Sequence, residues 1–415
     1  MGPTAWEPQV FVPFSDWPEV VFARIAARSP QFDPVCAAGD QPVVIGSAAG
    51  HRRDAVVAGA RGELFERVGN ILAGRAAEAA AAAGTGVLAS HEELRRRGVP
   101  ALDPAEWTNG GAGPAGGRAE SAGGAAAAAR AARRLWVLGR TVPDGTPVHV
   151  PAGVAFLHHR APAGCVPGPG AGSTGVAAHT DLRSAVEHAA WEVLERDLVR
   201  RSWYGLAPRP VPLPPTAPAE LLPAPLADLL AGLGAAATLL DVPAPAGARC
   251  VVVCLHAPDR TRQTFGARCG PDDGDLAPLV EKAAYEALMV RWSIHSTVGR
   301  ETWARWHGRS APRSAVQHAL WAYHRQDSLG RWTDPPSATS PATPPASSPM
   351  VVRSGLDALA AHTGREPVLM DTTHGPAREL GLSVVRVVAP GARPLPTGPY
   401  DAHGPATGRG PHPFG

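Results

Sequence analysis

The chain predicts an α+β fold, and three features carry that expectation. Short β-branched runs joined by turn signals alternate with longer segments of helical periodicity. The runs pair as hairpins, which favours mixed or antiparallel sheets with packed helices over a doubly wound parallel sheet. Three helical segments are apolar around most of their circumference, so they belong inside the molecule.

The elements follow in order. The run PVVI (42–45) leads into the Gly-rich GSAAG (46–50), too weak by itself to count as a nucleotide loop. The first strong helix is VVAGARGELFERVGNILAG (56–74). Residues 109–134 read as a disordered insertion that starts as a Gly-rich linker, with a helix as an alternative at its Ala-rich end. RLWVLGRTVPDGTPVHVPAG (134–153) reads as a hairpin turning at Pro143-Asp144-Gly145. The second helix is LRSAVEHAAWEVLERDLVRRSWY (182–204). ARCVVVCLHAPDRTRQTFGA (248–267) is a strand pair turning near Pro258-Asp259, and LAPLVEKAAYEALMVRWSIHS (276–296) is the third helix. The Pro/Ser/Thr stretch 333–349 is expected as an exposed, disordered loop. EPVLMDTT and LGLSVVRVVAP read as two more strands around a short helix, AREL.

Bulk composition narrows the function. The 415 residues, 44% hydrophobic, are enough for one large core. A net charge of +2 gives no basic field for nucleic acid, and Lys282 is the one lysine. The start MGPTAWEPQV lacks a signal peptide, and no run is apolar enough to span a bilayer. Five cysteines (Cys36, Cys165, Cys250, Cys254, Cys269) show no framework or metal spacing; a reduced cytoplasmic protein whose strand cysteines pack in the core is the expectation.

The chemistry lies in a repeated pattern. GELFERVGN (62–70) and WEVLERD (191–197) each carry E-x-x-E-R: Glu63, Glu66 and Arg67, then Glu192, Glu195 and Arg196. At 100° per residue, Glu195 lies at 300° and Arg196 at 40° from Glu192, while apolar residues fill the arc from 60° to 260°. Each helix thus keeps only a narrow polar stripe. A lone E-x-x-E-R on a surface helix is ordinarily a local ion pair. Two copies with matching apolar arcs point instead to a shared internal cavity. Crowded carboxylates there call for a cation, and hard oxygen donors select magnesium, which usually arrives with phosphates. That indicates a nucleotide, although no Walker A loop is present. The third helix adds Lys282 and Glu286 on one face.

Together with STGVAAHTDLRSAVEHAAWEVLERD, the hairpin 134–153 and the ending GLSVVRVVAPGARPLP, these motifs resemble the YcaO-domain family from about residue 45 onward. The resemblance implies a YcaO-like fold in which two ExxER helices line an ATP/Mg2+ cavity. It divides the chain into an N-terminal extension, 1–44, and a YcaO-like domain, 45–415, with a Pro-rich tail at 399–415. It implies metal-site roles for Glu63, Glu66, Glu192, Glu195 and Glu286, and ATP or phosphate contacts for Arg67, Thr174, Arg196 and Lys282. The ending PHPFG, similar to the tails of azoline-forming members, implies catalytic roles for His412 and Gly415.

The implied activity is an ATP-dependent cyclodehydratase that converts Cys, Ser or Thr of a ribosomally made precursor peptide to azolines. Implied partners are that peptide, a leader-binding E1-like protein, a flavin dehydrogenase and a second copy in a homodimer; neither nucleic acid nor membrane is expected. The sequence departs from the family pattern at Ala49, Gly59, Thr174, His179 and Lys282, where Lys, Ser, Asn, Gly and Arg are usual. Those departures favour a second reading, a degenerate partner that binds peptide or an active paralogue without ATP turnover. Peptide thioamidation is a third.

Overall fold

A computed structural model describes residues 6–28, 43–107, 119–168, 170–325, 327–334, 354–396 and 410–415. Every strand pairing within its three sheets is antiparallel. β1 (Gln9–Phe11), β2 (Val21–Arg28) and β3 (Val43–Gly50) form the first in that order. The third runs β4 (Val87–Ala89), β5 (Arg134–Thr141), β12 (Val368–Asp371), β13 (Ser383–Val388) and β7 (Val176–His179), with β6 (Pro147–Pro151) also on β5. The second runs β11 (Thr264–Pro271), β10 (Ala248–His256), β9 (Ala236–Val242) and β8 (Val211–Pro212). β10 is central because nearly its whole β-branched run is buried on both faces. Each expected hairpin is present.

The three expected helices form α1 (Arg53–Ala82), α2 (Leu182–Trp203) and α3 (Ala277–Ile294). α1 packs on β3 and β2, α3 on β11 and β10, and α2 between β13 and β11. Asp181 caps α2 by accepting the Ser184 N–H at 2.8 Å. Two shorter helices follow, α4 (Thr297–Trp306) and α5 (Ala315–His324). The largest core cluster unites Ala189, Leu194 and Leu198 of α2 with Val252 and Cys254 of β10 and Val385 and Val387 of β13. One helix therefore bridges two sheets.

Part of one expectation changes. The stretch expected as an insertion through residue 134 is helical from Ala119 to Ala131, then becomes β5. An alanine run has the best intrinsic helix propensity, and Arg130 anchors this one through an ion pair to Asp103 at 2.7 Å. The tail does not hang free at its end: His412 and Phe414 are buried. Residues 109–118, 335–349, 399–409 and Cys36 lie outside the described residues. Residues 9–28, expected as part of an N-terminal extension, supply β1 and β2. Cys250 and Cys269 face each other across β10 and β11, and Cys254 is buried, in keeping with packing cysteines.

Helix and strand approach unusually closely at two matching places. A Cβ on Gly46 of β3 would run into the Ala60 carbonyl oxygen and the Leu64 nitrogen of α1. On Gly266 of β11 it would strike the Ala283 carbonyl oxygen and the Ala287 nitrogen of α3. Backbone cannot yield as a side chain does. Gly266→Ala therefore lowers stability by about 1–3 kcal/mol in denaturant unfolding. Gly123→Ala, which meets open space inside a helix, raises it by about 0.5–1 kcal/mol. Equal midpoints for the two variants would refute the close-contact account.

Candidate functional site

β3, β7 and β11 are edge strands, one from each sheet, and all three turn toward α1, α2 and α3. Their outward N–H groups have no strand partner. The glutamates take them. Glu63 accepts the Ser47 N–H, and its carboxylate also receives the Ser47 hydroxyl at 3.2 Å. Glu66 accepts from the Ala178 N–H at 3.2 Å, and Glu192 from the Gly175 N–H at 3.0 Å just ahead of β7. On β11, Cys269 donates to Glu195 at 3.2 Å and Ala267 to Glu286 at 3.0 Å. Five acidic side chains from three helices are thus fixed by five backbone donors.

Two arginines take the remaining charge. Arg67 bonds Glu63 and the Ile45 carbonyl oxygen. Arg196 lies 3.2 Å from Glu195 and 3.0 Å from Glu286. Burial alone would lower the Arg196 pKa, but Glu286, Glu195 and Glu192 keep it firmly protonated. These groups border a cavity of about 770 Å³.

The cavity brings together most of the sequence-predicted residues. Glu63, Glu66, Glu192, Glu286, Arg67, Arg196, Thr174, His412 and Gly415 all line it. Glu195 lies directly behind, buried and bonded to Arg196. Lys282 is not in the lining. It stands on α3 near Arg268 and Arg52, where burial and then those cations hold its ammonium below the usual lysine range. Among the described residues, no three acidic, histidine or cysteine side chains form a ready metal cage. Magnesium does not need one, since it keeps waters and phosphate oxygens as ligands.

Sequence reasoning missed three arginines in the wall: Arg386, Arg200 and Arg393. Arg386 carried a signal, since it interrupts the valine run of a buried strand and arginine is rarely buried without a role. Its guanidinium donates to the Gly172 carbonyl at 2.8 Å and the Val154 carbonyl at 3.0 Å. Its Nε has no partner among the described residues, and burial lowers its pKa to about 10.

The tail closes one side. Trp203 donates its indole N–H to the Gly410 carbonyl at 3.1 Å, and Phe414 packs on Phe265 and Trp332. The His412 ring stacks on His318 at 3.8 Å and donates from Nε2 to the Pro396 carbonyl at 2.7 Å. Its Nδ1 is then an unprotonated acceptor, buried and without a partner among the described residues. Burial, with His318 beside it, holds His412 neutral.

The donor set suits a metal–phosphate group. The lining holds four glutamates and five arginines, so fixed charge nearly cancels. Burial first, then Glu192 and Glu63, pushes the Glu66 pKa up to about 8. Burial likewise takes Glu195 to about 7, with Arg196 opposing. A metal arriving with an anion would favour the ionised form of these carboxyls, and the arginines of the wall suit the anion itself.

Solved structures with the same fold include a heterocyclase in complex with substrate and cofactor, at TM-score 0.64 and 17% identity over 94% of this chain. That match takes in 50% of the heterocyclase, so this chain spans half its length. YcaO from Methanopyrus kandleri bound with AMPPCP and Mg2+ matches at 0.52 and 18%, over 92% of this chain and 85% of that one. A chain of the E. coli microcin synthetase McbBCD complex matches at 0.59 and 13%, over 99% and 96%. A search of curated protein sequences found no match. Residues 47–393 match the family model for YcaO cyclodehydratase, ATP- and Mg2+-binding. The chain belongs to the YcaO family.

The raised Glu66 pKa sets a pH dependence. A carboxyl whose pKa rises from 4.5 unfolded to about 8 folded contributes stability that is complete below pH 4.5 and lost as pH rises through 8. Glu66→Gln keeps an oxygen for the Ala178 N–H but cannot ionise. Its thermal midpoint therefore falls less than wild type's between about pH 5 and pH 9. Parallel profiles would rule out the crowded, desolvated carboxyl.

Proposed function

We propose that this chain is an ATP- and Mg2+-dependent cyclodehydratase that activates backbone amides of a ribosomally made precursor peptide, converting Cys, Ser or Thr to azolines. The observation that carries the reading is the convergence of Glu63, Glu66, Glu192 and Glu286 with Arg67 and Arg196 around one cavity. Family membership supports the cofactors.

Glu63, Glu66, Glu192, Glu195 and Glu286 would hold the metal, and Arg67, Thr174, Arg196 and Arg386 the phosphates. ATP supplies the phosphoryl group that turns an amide oxygen into a leaving group. The chain's own residues do the rest. Backbone N–H groups of three strands keep the carboxylates in place before ligand arrives, which lowers reorganisation during reaction. Arg196 and Arg386, buried and unable to lose their protons readily, stabilise charge as it moves. His412 offers Nδ1 to the attacking thiol or hydroxyl, and Gly415 stands on the same wall. Phe414 and Trp332 exclude water from that side.

The peptide reaches the cavity with help from a leader-binding E1-like partner. The McbBCD complex with pro-MccB17 bound, another structure of this fold at TM-score 0.56, supports an assembly of this kind. A homodimer and a flavin dehydrogenase that oxidises the azolines complete the proposal. No helix among the described residues is long and apolar enough to cross a membrane, which accords with a cytoplasmic site of action.

One observation favours a second reading. Lys282 stands outside the lining, and Thr174 and His179 replace residues usual in the family, as expected of a partner that binds without turnover. Glu192→Gln separates the two. Glutamine retains the Gly175 bond, so the fold persists, while peptide-dependent phosphate release falls by roughly a hundredfold or more. Mass spectrometry of the peptide then reads water loss for azolines, or oxygen replaced by sulfur for thioamides. Wild-type protein that releases no phosphate with peptide and an E1-like partner refutes the enzymatic reading.

A further inference from the structure

The helix pair α4 and α5 presents an unusual outer face. Residues 291–325 hold six arginines and one acidic residue, Glu301, a net of +5 in a chain of +2. Rings form a continuous ladder across the pair. Trp303 stacks on His324 at 4.2 Å and meets Trp306 at 6.0 Å; Tyr323 lies 4.8 Å from His324 and 5.3 Å from His295. Arg325 sits over Trp303 at 5.7 Å, and Arg291 over Tyr323 at 5.8 Å.

The bland explanation covers part of this. Trp303, Trp306 and Tyr323 back onto Ile294, Ala319 and Leu320 and close a small core. Core closure does not account for the charge. Arg300, Arg305, Arg309, Arg313 and Arg325 are exposed, and no carboxylate among the described residues pairs with any of them. Burial and the neighbouring arginines lower the pKa of both His295 and His324. Positive charge is concentrated there, and among the described residues no carboxylate forms an ion pair with those five arginines.

Position adds the second argument. Ala315, the first residue of α5, lines the cavity, and His318 one turn later stacks on His412. Trp321, Tyr323 and His324 of the same helix belong to the ring cluster. One helix therefore runs from the cavity wall to the ring cluster, so a segment held on the outer face lies within one helix length of the site.

We propose that the outer face of α4 and α5 docks an acidic, apolar-containing segment of the precursor peptide. The peptide as occupant rests on the peptide-modifying reading above. Carboxylates of the segment pair with the exposed arginines, and its apolar side chains lie on the indole and phenol rings. Fixed aromatic rings cost little conformational entropy on binding, so a flexible peptide gains more from them than from mobile side chains.

Fluorescence anisotropy of the full chain without nucleotide tests this. The probe is a fluorescein-labelled peptide alternating glutamate and leucine; a lysine–leucine peptide and single-stranded oligothymidine serve as competitors. Glutamate–leucine binding is expected to weaken with salt and to drop at least tenfold in the variant Arg305→Glu/Arg309→Glu/Arg313→Glu. Circular dichroism checks folding; if that variant melts early, the corresponding triple glutamine variant is used, with a smaller loss expected. Unchanged affinity in a folded variant overturns the proposal, as does equal competition by lysine–leucine. Stronger competition by oligothymidine overturns it in favour of nucleic acid. Because no nucleotide is present, this outcome is independent of turnover. A chain that binds the probe yet never removes water from peptide loses the cyclodehydratase reading and keeps the docking face.

Discussion

Three sheet edges meeting in one place is the constraint on which everything else depends. An edge strand leaves N–H groups that must find acceptors when they are buried, and each unmatched one costs about 1–3 kcal/mol. Here β3, β7 and β11 all point theirs inward. Helical glutamates supply the acceptors, so the same side chains that stitch α1, α2 and α3 to the sheets also crowd negative charge into the middle. Structure and chemistry share the residues. A scaffold with no ligand could satisfy those donors with neutral glutamine, without raising any pKa.

Crowding also explains the arginines. Among those on helices, Arg67 neutralises a carboxylate on its own helix, whereas Arg196 ties α2 to α3 through Glu286. Arg386 reaches the cavity from the sheet and is satisfied mainly by carbonyl oxygens. Its charge is therefore less committed to any one carboxylate and is directed toward whatever enters. The close crossings at Gly46 and Gly266 serve the same end, because Glu63 reaches the Ser47 N–H and Glu286 reaches Ala267 only where helix and strand nearly touch.

Much of this was legible in the sequence, and what was legible had a local cause. The E-x-x-E-R repeats, their narrow polar stripes and the hairpins follow from periods of 3.6 and 2 along the chain. The convergence of Glu63, Glu66, Glu192 and Glu195 follows from two such stripes that must face something, whereas Glu286 on the third helix enters only through the family resemblance. What the carboxylates bond to was not legible, because edge N–H donors depend on how distant strands are ordered. Lys282 shows the same limit: a residue one helical turn from Glu286 shares its face, yet in α3 it falls outside the cavity wall. The helix at Ala119–Ala131 was legible as an alternative from its alanines, which favour helix, while the glycines before it obscured where it begins.

The bonding pattern at the carboxylates explains how such a site can accept a cation without refolding. In Glu63, Glu195 and Glu286, one oxygen takes a strand N–H and the other takes an arginine. Only the arginine bond must be given up for a metal, and a flexible guanidinium moves at far less cost than a strand. Glu66 and Glu192 pair with no arginine among the described residues; each keeps one oxygen on backbone and one toward the cavity. They are also the pair whose mutual repulsion raises the Glu66 pKa. A divalent cation would relieve that repulsion most where no arginine is bonded directly to the carboxylate. In the proposed metal site, Glu66 and Glu192 would be where metal and proton compete most directly, and the three arginine-paired glutamates would hold the geometry around them.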